Sequence, residues 1–451
     1  MNFIKHNRIL LLITVISIGL YVSFAYDLAR SDFVKLFSLY TGLFFLTYKI
    51  LQISKQNFLL LAGLGILFRL IFIGVLPNLS QDFYRFLWDG SLVLQGINPY
   101  LITPETYIES GTNIVPNTRI LFEGMGALNG SHFSNYPPVN QLCFTIAVLF
   151  AGKSIIGSTV ALSIIIILAD IGILYFGRKL LKGLGIDPHN IYWYFLNPFI
   201  IIELTGNLHF EAVMLFFLVW SFYLLHKGKW YWAAVLLGIS VSVKLLPLLF
   251  LPLLYQWFVK KEVWGRGILK LSTFYLVVLA TFLLSFVPFY SSGIVLNFLK
   301  TIGLWFQDFE FNASIYYIIR WIGFKTTGWN VIGTTGKVLP LIVVVFLLII
   351  TFFRNNKELN QLFTAMLLGV SFYFLLSTTV HPWYVATLVL LSVFTKYKFP
   401  IVWSFMVMLS YSGYSVEGFT ENLWLVAIEY FVVIGFFVWE VIYPQKKLRF
   451  T

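Results

Sequence analysis

Long apolar runs constrain this chain more than any other feature. Ile9–Phe24, Ile155–Phe176 and Leu339–Phe353 approach or reach the roughly 20 apolar residues that cross a bilayer as a helix. Composition agrees, with 59% of residues hydrophobic and only 11% charged; a soluble domain carries about a quarter charged residues. The expected fold is an all-α, polytopic transmembrane helix bundle, a single integral membrane domain over residues 1–451. The first run is not followed by a small-residue cleavage site and is expected to be a retained span. Cys143 is the only cysteine, which excludes an intramolecular disulfide and a thiolate metal cluster.

The formal net charge is +12. No basic tract of nucleic-acid type accompanies it, so nucleic acid is not an expected partner. In a membrane protein, lysine and arginine gather on cytoplasmic loops. Lys5 and Arg8 set the N-terminus inside, and spans at about 8–25, 33–50 and 58–76 lead out to a long loop, about 77–154. Such loops are usually functional. Val139–Ala151, about 13 residues, is short for a span. As a span it would also turn Arg178, Lys179 and Lys182 outward, so it is expected to lie along the interface.

Ile155–Phe176 then runs inward. His226, Lys227 and Lys229 follow on the inside, as do Lys260, Lys261 and Arg266, then Arg354 and Lys357, Lys396 and Lys398, and Lys446, Lys447 and Arg449. The total is about 14 spans with both termini inside. The outer side collects the 82–100 segment, Tyr136–Pro138, Asn207, His209, Glu211, Lys244, a second long loop at about 289–336, His381–Tyr384, Glu417 and Glu421. This gathering predicts a cytoplasmic (inner) membrane protein with its active site on the external face. No internal repeat suggests a two-half carrier.

Residues Ser80–Tyr100 read SQDFYRFLWDGSLVLQGINPY. As a helix, this segment puts Asp82, Arg85 and Asp89 on one face. Acids at a span end can simply cap a helix. Two acids with Arg85, Trp88 and a Gly-Ile-Asn-Pro-Tyr turn point instead to a functional site. A carboxylate within hydrogen-bond reach can act as base on an acceptor hydroxyl, and Arg85 can pair with either acid or with a phosphate.

Asn207, His209 and Glu211 alternate between apolar runs, where each needs a partner at membrane depth. They suit sugar hydroxyls, with a divalent metal at His209 and Glu211 as the alternative. Lys244 interrupts an apolar stretch, Tyr231–Phe258, that is long enough for a tight pair of spans. Its ammonium suits a phosphate as a point charge, or it snorkels to the interface. In His381-Pro382-Trp383-Tyr384 the rings can stack on a sugar or lipid head group, an aromatic belt being the plainer account. Arg69 and Asp170 fall inside spans three and four, where each charge needs a partner. They form a structural ion pair, or Arg69 orients Asp82 or meets a donor phosphate.

The string Asp-Phe-Tyr-Arg-Phe-Leu-Trp-Asp-Gly at 82–90, followed by Gly-Ile-Asn-Pro-Tyr at 96–100, resembles the first outer loop of the lipid-phosphate-sugar-dependent glycosyltransferases of the GT-C superfamily. It is most similar to that of the bacterial polyprenol-phosphate-mannose-dependent mannosyltransferases. Tyr136-Pro137-Pro138, followed by Gln141, resembles the second half of the same loop. The resemblance implies a GT-C-like bundle with juxtamembrane helices in its external loops. It also implies Asp82 as general base in an inverting transfer, and a basic residue near Lys244 for the donor phosphate. Arg85, Asp89, Tyr136, Asn207, His209, Glu211 and His381 complete the expected binding residues. The donor is then a polyprenyl-phosphate-linked sugar, expected to be mannose, and the acceptor a glycan or lipid hydroxyl. A transporter or flippase of a lipid-linked saccharide and a polysaccharide polymerase or ligase are the alternatives.

Overall fold

The computed structural model describes residues 8–54, 57–112, 114–260 and 263–443. Lys5, Lys261, Lys446, Lys447 and Arg449, on which part of the expected sidedness rests, lie outside the described residues. Helices of eight or more residues are numbered in chain order.

α1 (Arg8–Tyr26) and α2 (Phe33–Ile53) pack together and lead to α3 (Phe58–Leu70). The first long loop holds α4 (Asp82–Leu94), α5 (Thr118–Gly130) and α6 (Pro138–Ala151), with α4 packed on the other two. α7 (Ile155–Gly183), α8 (Glu211–His226), α9 (Trp230–Val243) and α10 (Trp264–Ser285) then pack in series. The second long loop supplies α11 (Ile294–Gln307) and α12 (Ile315–Thr327). α13 (Ile332–Phe352), α14 (Leu359–Leu376), α15 (Val385–Val393), α16 (Phe399–Met406) and α17 (Leu423–Ile442) complete the bundle. Strand pairing among the described residues is confined to a hairpin, Tyr414–Ser415 against Gly418–Phe419, and a single bridge between Phe311 and Thr379. The protein is an all-α polytopic bundle.

Among the described residues, seven helices are long and apolar enough to cross a membrane, or up to eight if a bent pair is one span. Sequence hydropathy leads to about 14. The difference lies in apolar helices of 10–17 residues, α3 and α9 among them. Hydropathy counts apolar residues but does not see where a helix breaks. α3 stops at Leu70 and is followed by Gly74 at φ 82°, short of the expected end at 76. The Tyr231–Phe258 stretch breaks where Lys244 turns extended (φ −148°, ψ 143°). α7 is the opposite case. The Ser154 side chain accepts from Gly157 N–H at its start, and the helix continues through Arg178–Lys182 to Gly183.

Two devices hold the site's scaffold. Arg69 and Asp170 form a fully buried ion pair (2.8 Å), and Arg69 Nη1 also donates to the carbonyls of Gly65 and Phe195. Tyr194 donates to the other Asp170 oxygen (2.9 Å), which fastens α3 to α7 and to the short helix Tyr192–Phe195. Arg69 is therefore engaged with Asp170 and not with Asp82. Second, α4 crosses α6 at Gly90, where an added Cβ would lie 2.6 Å from the Phe144 carbonyl. No other residue type allows that approach.

Candidate active site

The segment entering α4 is tied down on both sides. Asn78 Nδ2 donates to the carbonyls of Phe24 (2.7 Å) and Leu28 (3.3 Å), which fixes it to the end of α1. Leu79 N–H donates to Asn207 Oδ1 (3.2 Å), which fixes it to the break before α8. Asp82 then opens α4 as a half-buried carboxylate; its side-chain oxygen accepts a long bond from Asn129 Nδ2 (3.4 Å). Protein packed around it raises the Asp82 carboxyl above its ordinary value; Lys244, Asn129 and Arg30 oppose that rise.

Arg85 and Asp89 share the Asp82 face but turn to each other. Their buried pair (2.7 Å) is joined by Ser134 Oγ (2.5 Å) and Gln141 Nε2 (3.2 Å) on the second Asp89 oxygen. Arg85 Nη1 donates to the carbonyls of Asn129 and His132. The pair thus staples the 129–141 segment to α4. Tyr136, on that segment, has its carbonyl held by Tyr100 OH (2.6 Å) and its ring edge-on to Phe86 and Phe144. Its phenol lies in the field of Asp82 and Tyr384.

Asn207, His209 and Glu211 occupy a backbone break. Pro198–Gly206 ends in a π-helical turn, and the chain bends by 115° before α8. Leu208 at φ 61° is left-handed, a strained conformation for a branched residue and one that recurs at functional sites. Glu203, in the π turn, accepts from Tyr411 OH (2.8 Å) and from Asn207 Nδ2 (3.5 Å). Glu211 forms an ion pair with Lys244, whose ammonium also stands 5.9 Å above the Tyr384 ring. Among the described residues, the second Glu211 oxygen and His209 Nε2 are buried with no hydrogen-bond partner.

Trp383 lies between two imidazoles, with His209 at 3.6 Å and His381 at 4.5 Å between ring centroids, both nearly parallel. His381 is placed by strand-like pairing of the 378–380 segment with Phe311 (3.1 and 2.8 Å). The Phe311 segment is anchored in turn through Asn312, which bonds Glu421, Glu429 and Tyr430. Burial lowers His381 to about 3 and His132 to about 4, so both imidazoles are neutral at physiological pH.

The structure therefore groups Asp82, Tyr136, Glu211, Lys244, His209 and His381, and uses Arg85, Asp89 and Asn207 as fasteners beside them. Among the described residues no three His, Cys, Asp or Glu side chains meet in a way that could hold a metal ion. His209 and Glu211 are turned to Trp383 and Lys244 instead. Sequence reasoning missed Arg30, Asn129 and Tyr414. Arg30 had one signal, a basic residue in a turn expected on the outer side, where the charge rule disfavours it.

The pattern has counterparts in known proteins. Residues 13–260 match the family described as Alpha-(1->6)-mannopyranosyltransferase, N-terminal domain. Over 263 residues the chain is 24% identical to Alpha-(1->6)-mannopyranosyltransferase A of Mycobacterium tuberculosis (strain ATCC 25618 / H37Rv), a match covering 58% of this chain. It covers 48% of that relative, so the chain spans about half the relative's length. The family match includes Asp82, Tyr136, Asn207, Glu211 and Lys244, and on it the chain belongs to the alpha-(1->6)-mannopyranosyltransferase family.

Proposed function

We propose that this protein is a membrane mannosyltransferase that takes mannose from a polyprenyl-phosphate carrier and passes it to a glycan or lipid hydroxyl outside the cytoplasmic membrane. The observation that carries this reading is Asp82 itself. It is a half-exposed carboxylate with one long side-chain hydrogen bond, within electrostatic reach of Lys244.

In the proposed step, Asp82 takes the proton of the acceptor hydroxyl as its oxygen bonds to the anomeric carbon. The bond from that carbon to the phosphate oxygen breaks on the opposite face, giving inversion and releasing polyprenyl phosphate. Lys244 compensates the charge that grows on the leaving phosphate, and Glu211 holds the ammonium in place. Trp383 holds the His209 and His381 imidazoles by stacking, and the unpartnered His209 Nε2 is available to a sugar hydroxyl. Arg85 and Asp89 keep the 129–141 segment in register with Asp82.

Purified protein in lipid, given labelled polyprenyl-phosphate-mannose and envelope extracts, is expected to move label onto a glycan or lipid. Transfer from a nucleotide-linked mannose, with none from the lipid-linked donor, overturns the reading.

A further inference from the structure

We propose that Arg30, in the turn between α1 and α2, binds the phosphate of the lipid carrier; this rests on the donor proposed above and adds a residue outside the 82–90 motif.

Position comes first. Asn78 clamps the carbonyls of Phe24 and Leu28, so the turn carrying Arg30 is fixed against the segment that delivers Asp82. The guanidinium carbon stands over the Tyr414 ring, 3.3 Å from its centroid. Tyr414 neighbours Tyr411, which holds Glu203, which holds Asn207. Arg30 is thus seated on the polar network that frames the site, and its charge acts on both Asp82 and His381.

Availability comes second. Of the other two cations here, Arg85 is paired with Asp89, and Lys244, assigned above to the leaving phosphate, has its charge partly offset by Glu211. The acids beside Arg30 are committed as well. Asp27 pairs with Lys35 (2.6 Å), and Asp32 accepts from Lys35 N–H at the start of α2. Among the described residues no carboxylate pairs with Arg30, and its Nε is buried without a hydrogen-bond partner. A partly buried guanidinium without an anion is costly, and its planar fork matches phosphate oxygens two at a time. The aromatic platform fixes that fork in advance.

The test measures binding of polyprenyl monophosphate, with neutral polyprenol as control, to the full chain in nanodiscs. Wild type, Arg30→Gln and Arg30→Lys are compared. Arg30→Gln is expected to bind the phosphate at least tenfold more weakly than wild type, and Arg30→Lys in between, with polyprenol binding unchanged throughout. If Arg30→Gln does not yield folded protein, Arg30→Lys decides the matter by a loss of about threefold or more confined to the phosphate form. Unchanged affinity in the Arg30 variants, or an equal loss for polyprenol, overturns the assignment while leaving the transferase reading intact. Failure of wild type to bind polyprenyl phosphate counts against the donor itself.

Discussion

Lys244 and Glu211, 33 residues apart in sequence, meet as an ion pair beside Asp82. The pair joins the extended break after α9 to the first turn of α8. Its ammonium is the point charge assigned to the leaving phosphate. Lys244→Met is therefore expected to lower kcat/KM for the lipid-linked donor by about 10²-fold or more, roughly 2.7 kcal/mol of transition-state stabilisation. Lys244→Met/Glu211→Gln removes the orphaned acid. It should regain the thermal stability lost in the single variant but not the turnover. Recovery of turnover in the double variant would show that the pair is only structural.

Acid loss of activity has a defined sign. Burial raises the Asp82 carboxyl, and Lys244 is the largest influence opposing it. In the proposed step Asp82 takes a proton only when ionised, so turnover should fall as pH drops through a pKa above the usual carboxylate value. Removing Lys244 should move this acid limb to higher pH. His381, held at about 3, and His132, at about 4, stay neutral above pH 5 and do not supply the limb. A kcat/KM profile whose acid limb is the same in wild type and Lys244→Met contradicts the assignment.

Arg69 and Asp170 are predicted to matter for folding alone. Removing one partner of a buried pair leaves an uncompensated charge, at about 3–5 kcal/mol. Arg69→Met should give a poor yield and a lowered Tm, with normal turnover per folded molecule. Normal stability with lost turnover would return Arg69 to the chemistry.

Gly90→Ala tests the packing of the motif. Its Cβ would meet the Phe144 carbonyl and, at 3.0 Å, Thr145 N, backbone that cannot step aside. Overpacking of this kind costs about 1–3 kcal/mol. The variant should show a lowered Tm and a parallel loss of transfer, since α4 and α6 would separate. An unchanged Tm would mean that this crossing is looser than described.

The membrane class and the helix at 82–94 were legible in the sequence because apolar run length and the spacing of Asp82, Arg85 and Asp89 are local signals. Lys244 was legible for the same reason, a charge that interrupts an apolar stretch. What Arg85 and Asp89 bond to was not. Their partners, Asn129, His132, Ser134 and Gln141, come from a segment that folds back 44 to 52 residues later. Arg30 was hidden more deeply, because its platform, Tyr414, lies at the other end of the chain. The breaks at Leu70 and Lys244 were not legible, because they leave hydropathy unchanged.

The most direct measurement runs wild type and Asp82→Asn side by side in proteoliposomes with polyprenyl-phosphate-mannose labelled in the sugar. It follows label into acceptor and label across the bilayer. The account predicts transfer to acceptor by wild type, a loss of about 10²–10⁴-fold in Asp82→Asn, and equal donor binding by both. Label that remains on the carrier and crosses the bilayer at the same rate with either protein contradicts it, and makes the protein a flippase.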